Sequence, residues 1–270
     1  MALARPLAAA VAVVILCASL GAQTQVIQPA KAEKTTETRT VPLASGSSLR
    51  VKNVNGFIRA EAWDREEVQF MGEFKPSSQD EQVKVVIEPG KGSLEIRGEY
   101  PKHNGWGSYR GPQCQMTLKV PRRVAVTFDS VNGEVTLTGT QGAAVLTTVN
   151  GGIRAISLDD SLKATTVNGG ITLEGVRGGL SLQTVNGGIK GSGLDGQGKG
   201  VKAETVNGGI HLQIAGLKGR LKASTLNGGI SFNAKGAEQV EVSKRRVSAV
   251  FPGGDQSIEL ETVNGGITIN

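Results

Sequence analysis

Only 4% of the 270 residues are aromatic. A core filled with large rings is excluded, so Val, Ile, Leu, Ala and Thr must do the packing. Cysteine is scarcer still: Cys17 and Cys114 are the only two, too few for a disulfide-stapled fold. Beyond residue 22 no apolar run approaches the roughly 20 residues of a spanning helix. No segment there carries the 3.6-residue apolar stripe of an amphipathic helix. Charge of one sign is also lacking: 30 basic and 24 acidic residues leave +6, which favours solubility without indicating nucleic acid. The two histidines, His103 and His211, stand in unlike contexts, and neither they nor Cys114 have metal-ligand spacing. The sequence therefore implies no metal and no cofactor.

Glycine is what the chain has in excess. Its 38 glycines do not recur at every third position, which excludes collagen. From Gly133 onward lie 28 of them, and the reason is a repeated corner, Val-Asn-Gly or once Leu-Asn-Gly. The corners are Asn55-Gly56, Asn132-Gly133, Asn150-Gly151, Asn168-Gly169, Asn186-Gly187, Asn207-Gly208, Asn227-Gly228 and Asn264-Gly265. From Asn132 the intervals are 18, 18, 18, 21, 20 and 37 residues. The last is close to two periods and predicts a degenerate coil near Lys244–Pro252. A period of this length marks a solenoid or similar repeat array.

Apolar residues alternate between corners, as in Val201, Ala203 and Thr205, then Ile210, Leu212 and Ile214. Period-two patterning broken by Asn-Gly reads as strand–corner–strand, so the fold class is all-β. Asn and Gly tolerate positive φ, which suits a sharp turn. Two architectures fit. Asn-Gly is also a hairpin signal, which would give a hairpin-repeat meander or propeller. The favoured reading is a parallel β-solenoid (β-helix-like) with 18–21-residue coils, because stacked identical corners let Asn amides form a ladder and Ile fill the interior in register. The stretch Gly191–Gly200 accounts for the longest single-coil interval and predicts a bulging surface loop.

The two ends differ from the repeat. Residues 1–22 combine Arg5, the apolar run Leu7–Leu20 and small residues at Ser19 and Gly21. This is a secretory signal peptide cleaved near Gly21, which places the protein in the periplasm, outer envelope or medium; lipidation at Cys17 is disfavoured by Leu16. Cleavage would leave Cys114 as the sole thiol, expected to be buried. Residues 23–40 read as a flexible lead-in and 41–128 as a bulkier β region capping the solenoid. Residues 129–270 carry the repeat. The C-terminal Gly266–Asn270 is still a strand pattern without a polar cap, which points to closure by self-association through that coil or by a partner.

The run Val54-Asn55-Gly56-Phe57-Ile58 with Trp63-Asp64, then Lys119-Val120-Pro121 leading into Ser130-Val131-Asn132-Gly133 and serial VNGGI coils, resembles a bacterial family. That family is described as a putative-adhesin, β-strand-repeat domain of unknown function. The resemblance covers roughly residues 40–270 and implies an exported or envelope-associated β-solenoid, with no family catalytic residues to carry over. The Gly191–Gly200 insertion and the missing corner near residue 245 depart from the pattern.

Chemistry is sparse. Glu204 and Glu261 precede Thr-Val-Asn-Gly in their coils, but Thr165, Gln183 and Ser224 take that place elsewhere. No continuous acidic line forms, and no carboxylate pair for glycoside hydrolysis is identified. Two surface candidates remain. His103, Trp106, Tyr109 and Arg110 share a loop suited to stacking on a sugar or anchoring a protein. Lys244, Arg245 and Arg246 form a basic run facing anionic envelope polymers or head groups. The leading expectation is a non-catalytic exported surface protein with a structural or adhesion-like role, its partner an envelope polysaccharide or another surface protein. The alternatives are a carbohydrate-active β-helix enzyme and an envelope-stress regulatory component.

Overall fold

The structure, a computed structural model, describes residues 23–29, 34–77, 81–102, 110–195 and 200–270. These residues form 24 strands. The chain enters through β1 (Gln25–Ile27) and β2 (Thr35–Pro42). A first corner joins β3 (Ser48–Asn55) to β4 (Ile58–Trp63). Then come β5 (Glu67–Lys75), β6 (Lys84–Gly90), β7 (Ser93–Glu99) and β8 (Gln113–Pro121). Corner-linked pairs follow: β9 (Ala125–Asn132) with β10 (Val135–Thr138), and β11 (Ala144–Asn150) with β12 (Ile153–Ile156). The next are β13 (Leu162–Asn168) with β14 (Ile171–Glu174), and β15 (Leu180–Asn186) with β16 (Ile189–Asp195). Further on lie β17 (Val201–Asn207) with β18 (Ile210–Ala215), and β19 (Gly219–Asn227) with β20 (Ile230–Phe232). The chain finishes with β21 (Gln239–Val242), β22 (Arg246–Phe251), β23 (Ser257–Asn264) and β24 (Ile267–Ile269).

Each corner sends its first strand into a 13-stranded sheet and its second into an 11-stranded sheet. The repeat strands pair in parallel and in register, for example Asn150 with Asn168 and Ile153 with Ile171. That pairing makes the molecule a parallel β-solenoid and disposes of the hairpin meander and propeller. Side chains alternate across each strand. Leu162, Ala164 and Thr166 of β13 are buried while Lys163 and Val167 are exposed. The interior column that runs through Leu146, Ala164, Leu182 and Ala203 alternates large and small, which fits a narrow coil. The bulky buried rings Phe70, Phe74 and Phe128 lie toward the N-terminal end, where antiparallel β5 and β2 extend the shorter sheet and β6 and β1 extend the longer one.

Four sequence expectations are corrected. The residues read as a flexible lead-in, 23–40, contain β1 and most of β2. β2 pairs along its whole length with β5, although its polar sequence TTETRTVP shows no apolar alternation. The Gly191–Gly200 stretch is not all loop. A register shift between Gly191 and Leu194 turns Leu194 into the core, over the space Gly191 leaves vacant; a Cβ on Gly191 would meet the Leu194 side chain at 2.6 Å.

The region near residues 244–252 is not a degenerate coil. It is the turn and second strand of an antiparallel hairpin, β21–β22, laid against β19. Nor is the final coil an open end. β23 lies between β17 and β19, and β24 lies between β18 and β20. The chain leaves one coil position empty after β18, builds the next with β19 and β20, turns back through the hairpin, and fills the gap last. At the true end of the stack Phe232 packs on Phe251, ring centroids 6.3 Å apart.

The corner ladder and the outer face of the longer sheet

The eight corner asparagines stand in one column. From each coil the side-chain Nδ2 donates to Oδ1 of the coil before it: Asn132 to Asn55, Asn150 to Asn132, Asn168 to Asn150, Asn186 to Asn168 and Asn207 to Asn186, at 2.8–2.9 Å. Then the chain order breaks and the ladder does not. Asn264 donates to Asn207 at 2.8 Å, and Asn227 donates to Asn264 at 2.9 Å. At the N-terminal end Asn55 Nδ2 reaches the Pro112 carbonyl at 3.4 Å, and the Tyr100 phenol accepts the Asn55 N–H at 3.1 Å. Burial raises the Tyr100 pKa, so it stays a neutral phenol.

A second ladder runs inside. From Asn150 onward, the buried threonine two residues before each corner asparagine donates to a glycine carbonyl in the adjacent coil, as Thr184 does to Gly169 at 2.8 Å and Thr262 to Gly208 at 2.9 Å. The corner glycine is required for clearance. A Cβ on Gly187 would sit 2.0 Å from the Gly169 carbonyl oxygen. Of the first corner glycines only Gly56 has positive φ, +121°. The left-handed turn anticipated from Asn-Gly is therefore replaced by close backbone stacking.

Outside the longer sheet the same register produces two parallel columns. One is apolar: Val131, Val149, Val167, Val185, Val206, Val263 and Leu226 are all exposed, and Leu226 is the most open at 59%. The other, two residues earlier on each strand, runs Thr165, Gln183, Glu204, Glu261 and Ser224 in spatial order. Between them lies a shallow groove of about 590 Å³. Glu204 accepts from Lys202 Nζ at 2.7 Å and from Gln183 Nε2 at 2.8 Å. Lys202 first, then Gln183, holds the Glu204 carboxyl below its ordinary range. Glu204 is thus an ionised acceptor and lacks the raised pKa of a general acid.

The adjacency of Glu204 and Glu261 is invisible in sequence order, because it exists only through the inserted final coil. The hairpin signal that would have revealed the insertion is the alternation Val247, Ala249, Phe251 directly after the polar turn Ser243–Arg245. Of the basic run, Lys244 and Arg245 lie in that exposed turn and Arg246 begins β22. The Arg245 carbonyl accepts the Thr225 N–H at 3.0 Å, so the run sits beside the end of the ladder. Arg110 is exposed, whereas His103, Trp106 and Tyr109 fall outside the described residues, as do Cys17 and the apolar N-terminal run. Cys114 is free and buried. Among the described residues no group of three or more His, Cys, Asp or Glu is placed to hold a metal.

The family model described as Toastrack DUF4097 matches residues 124–270. The chain belongs to the Toastrack DUF4097 family. No curated protein matches the sequence. Among solved structures, a putative adhesin from Bacteroides fragilis is 14% identical with a TM-score of 0.50, covering 88% of this chain and 99% of that one. A putative cell adhesion protein from Clostridium sporogenes is 12% identical with a TM-score of 0.40, again covering 88% and 99%. At these identities the likeness concerns the fold alone.

Proposed function

We propose that this Toastrack protein is an exported, non-catalytic binding protein of the bacterial envelope, and that it holds its ligand on the outer face of the longer sheet. The observation that carries this reading is the unbroken apolar column Val131 to Leu226 beside the groove. A soluble protein rarely leaves so long an apolar line in water unless something covers it. Solenoids characteristically use such extended stacked faces for binding. The neighbouring Thr165, Gln183, Glu204, Glu261 and Ser224 supply hydroxyl, amide and carboxylate groups at one strand spacing, about 4.8 Å. This arrangement suits an extended envelope polysaccharide laid along the stack, with its apolar faces on the valines and its hydroxyls on the polar column. Adhesin-like naming of the Bacteroides fragilis relative agrees with a surface binding role.

Calorimetric titration of the chain from residue 23 onward with soluble envelope polysaccharide tests this reading. Binding lost at least tenfold in Val185→Lys/Val206→Lys, with no new reducing ends released by the wild type, is the expected outcome. Unchanged affinity in that variant removes the face from the site, and sugar release refutes the non-catalytic assignment.

A further inference from the structure

The filled gap in the coil order has a consequence for assembly. β17, β18 and β19 each keep a strand partner without the inserted coil, whereas β20 pairs only with β24 and is otherwise placed by Phe232 packing on Phe251. β17 and β18 pair with β15 and β16, and β19 pairs with β22 on its far side. Without Ser257–Ile269 the shorter sheet keeps the edge of β18 facing the β20 segment, and the longer sheet keeps a slot one strand wide between β17 and β19. The segment that fills it is recognised almost entirely by repeat chemistry. Main-chain ladders run on both sides, Asn264 sits between Asn207 and Asn227, and Thr262 bonds to the Gly208 carbonyl. Ile258, Leu260, Ile267 and Ile269 fill the interior. Every one of these contacts would be the same if the segment came from another copy, since strand addition is read through backbone bonds and alternate side-chain pockets.

The connection to the rest of the chain is short. Phe251 ends β22 opposite Gly219, and Ser257 begins β23 opposite Arg220, on the other side of β19. Residues 252–256 must cross β19, two strand spacings or about 10 Å. Pro252, Gly253, Gly254 and Asp255 in this crossing are exposed. They set the local concentration that favours insertion into the chain's own slot, and a short exposed hinge of this kind is where strand exchange arises.

We propose that two copies of this chain exchange Ser257–Ile269, each filling the other's slot between β17–β18 and β19–β20. In the exchanged dimer the groove is composite: Glu261 and Val263 of one copy stand beside Glu204 and Ser224 of the other. The proposal is independent of what the groove binds.

Deleting residues 252–256 leaves one peptide unit, about 3.8 Å, to span the 10 Å crossing, so self-insertion is closed off. Light scattering should show a folded dimer in place of the monomer, with the β-rich circular dichroism retained. A folded monomer overturns the proposal. A second arm covers the case in which the deletion does not fold. Chains carrying Glu204→Cys and chains carrying Glu261→Cys are mixed, unfolded together, refolded at high concentration and treated with a short bismaleimide. A covalent dimer well above the level in either variant refolded alone supports exchange. Its absence from the mixture overturns it.

Discussion

Asn264 Nδ2 donates to Asn207 Oδ1 at 2.8 Å across 57 residues of chain. The bond is the same as those between sequential coils, and the continuity of the ladder conceals that the coil carrying Asn264 is out of order. Two properties of the molecule meet there: a coil placed out of sequence order and a groove formed from non-consecutive strands.

Clearance at the corners predicts a sharp contrast between the first glycine of a corner, Gly187, and the second glycine of the terminal corner, Gly229. Gly187→Ala places a Cβ 2.0 Å from the Gly169 oxygen, whereas a Cβ on Gly229 meets nothing within 4 Å. Gly187→Ala should cost about 1–3 kcal/mol or more, as overpacking does. Gly229→Ala should be neutral or gain a few tenths through lost chain entropy. Urea midpoints measure both, and equal effects would contradict backbone stacking as the reason for the first glycine.

The ladder predicts position-dependent losses. Asn186→Ala removes two amide bonds and Asn227→Ala removes one. At about 0.5–1.5 kcal/mol net per bond, the internal substitution should lower unfolding free energy about twice as much as the terminal one. Indistinguishable values would mean that these exposed bonds merely accompany the stack.

Acid should act through Glu204. Its carboxyl is held below the ordinary value of 4.5 by Lys202 and Gln183, so the unfolded chain takes up a proton at higher pH than the folded one. The resulting stabilisation is complete above 4.5 and is lost as pH falls through the lowered folded value. The stability difference between wild type and Glu204→Gln should therefore be constant from pH 6 to 8 and shrink below pH 4.5. A difference that grows on acidification would reverse the assignment.

Burial raises the Cys114 pKa to about 12, which keeps the thiol protonated and shielded. In the chain from residue 23 onward, a thiol-specific reagent at pH 8 should label it only after denaturant is added. Rapid stoichiometric labelling of the folded protein would contradict its placement against the Gly56 corner.

Corners and coil period were legible in the sequence because the need for glycine is local and recurs identically in every coil. Parallel pairing followed from the same identity. Coil order was harder to read: a 37-residue interval fits a lost corner as well as a capping hairpin, and the signal for the order itself is a single side chain, Leu260, which keeps the large–small interior column alternating between Ala203 and Ala223. The Glu204–Glu261 neighbourhood went unread with it. Strand β2 escaped because its pairing with β5 rests on backbone bonds while its side chains carry no apolar period. Leu194 escaped because only the register shift beside Gly191 brings it inside.

Coil order at the C-terminal end is tested most directly by proximity on the outer face. Glu204 and Glu261 are register neighbours, as are Glu261 and Ser224, while Glu204 and Ser224 are separated by β23. Paired cysteines at 204 and 261, oxidised in dilute protein, should give an intramolecular cross-link at monomer mass far faster than cysteines at 204 and 224. Faster cross-linking of the 204–224 pair would place the coils in sequence order and contradict the inserted coil.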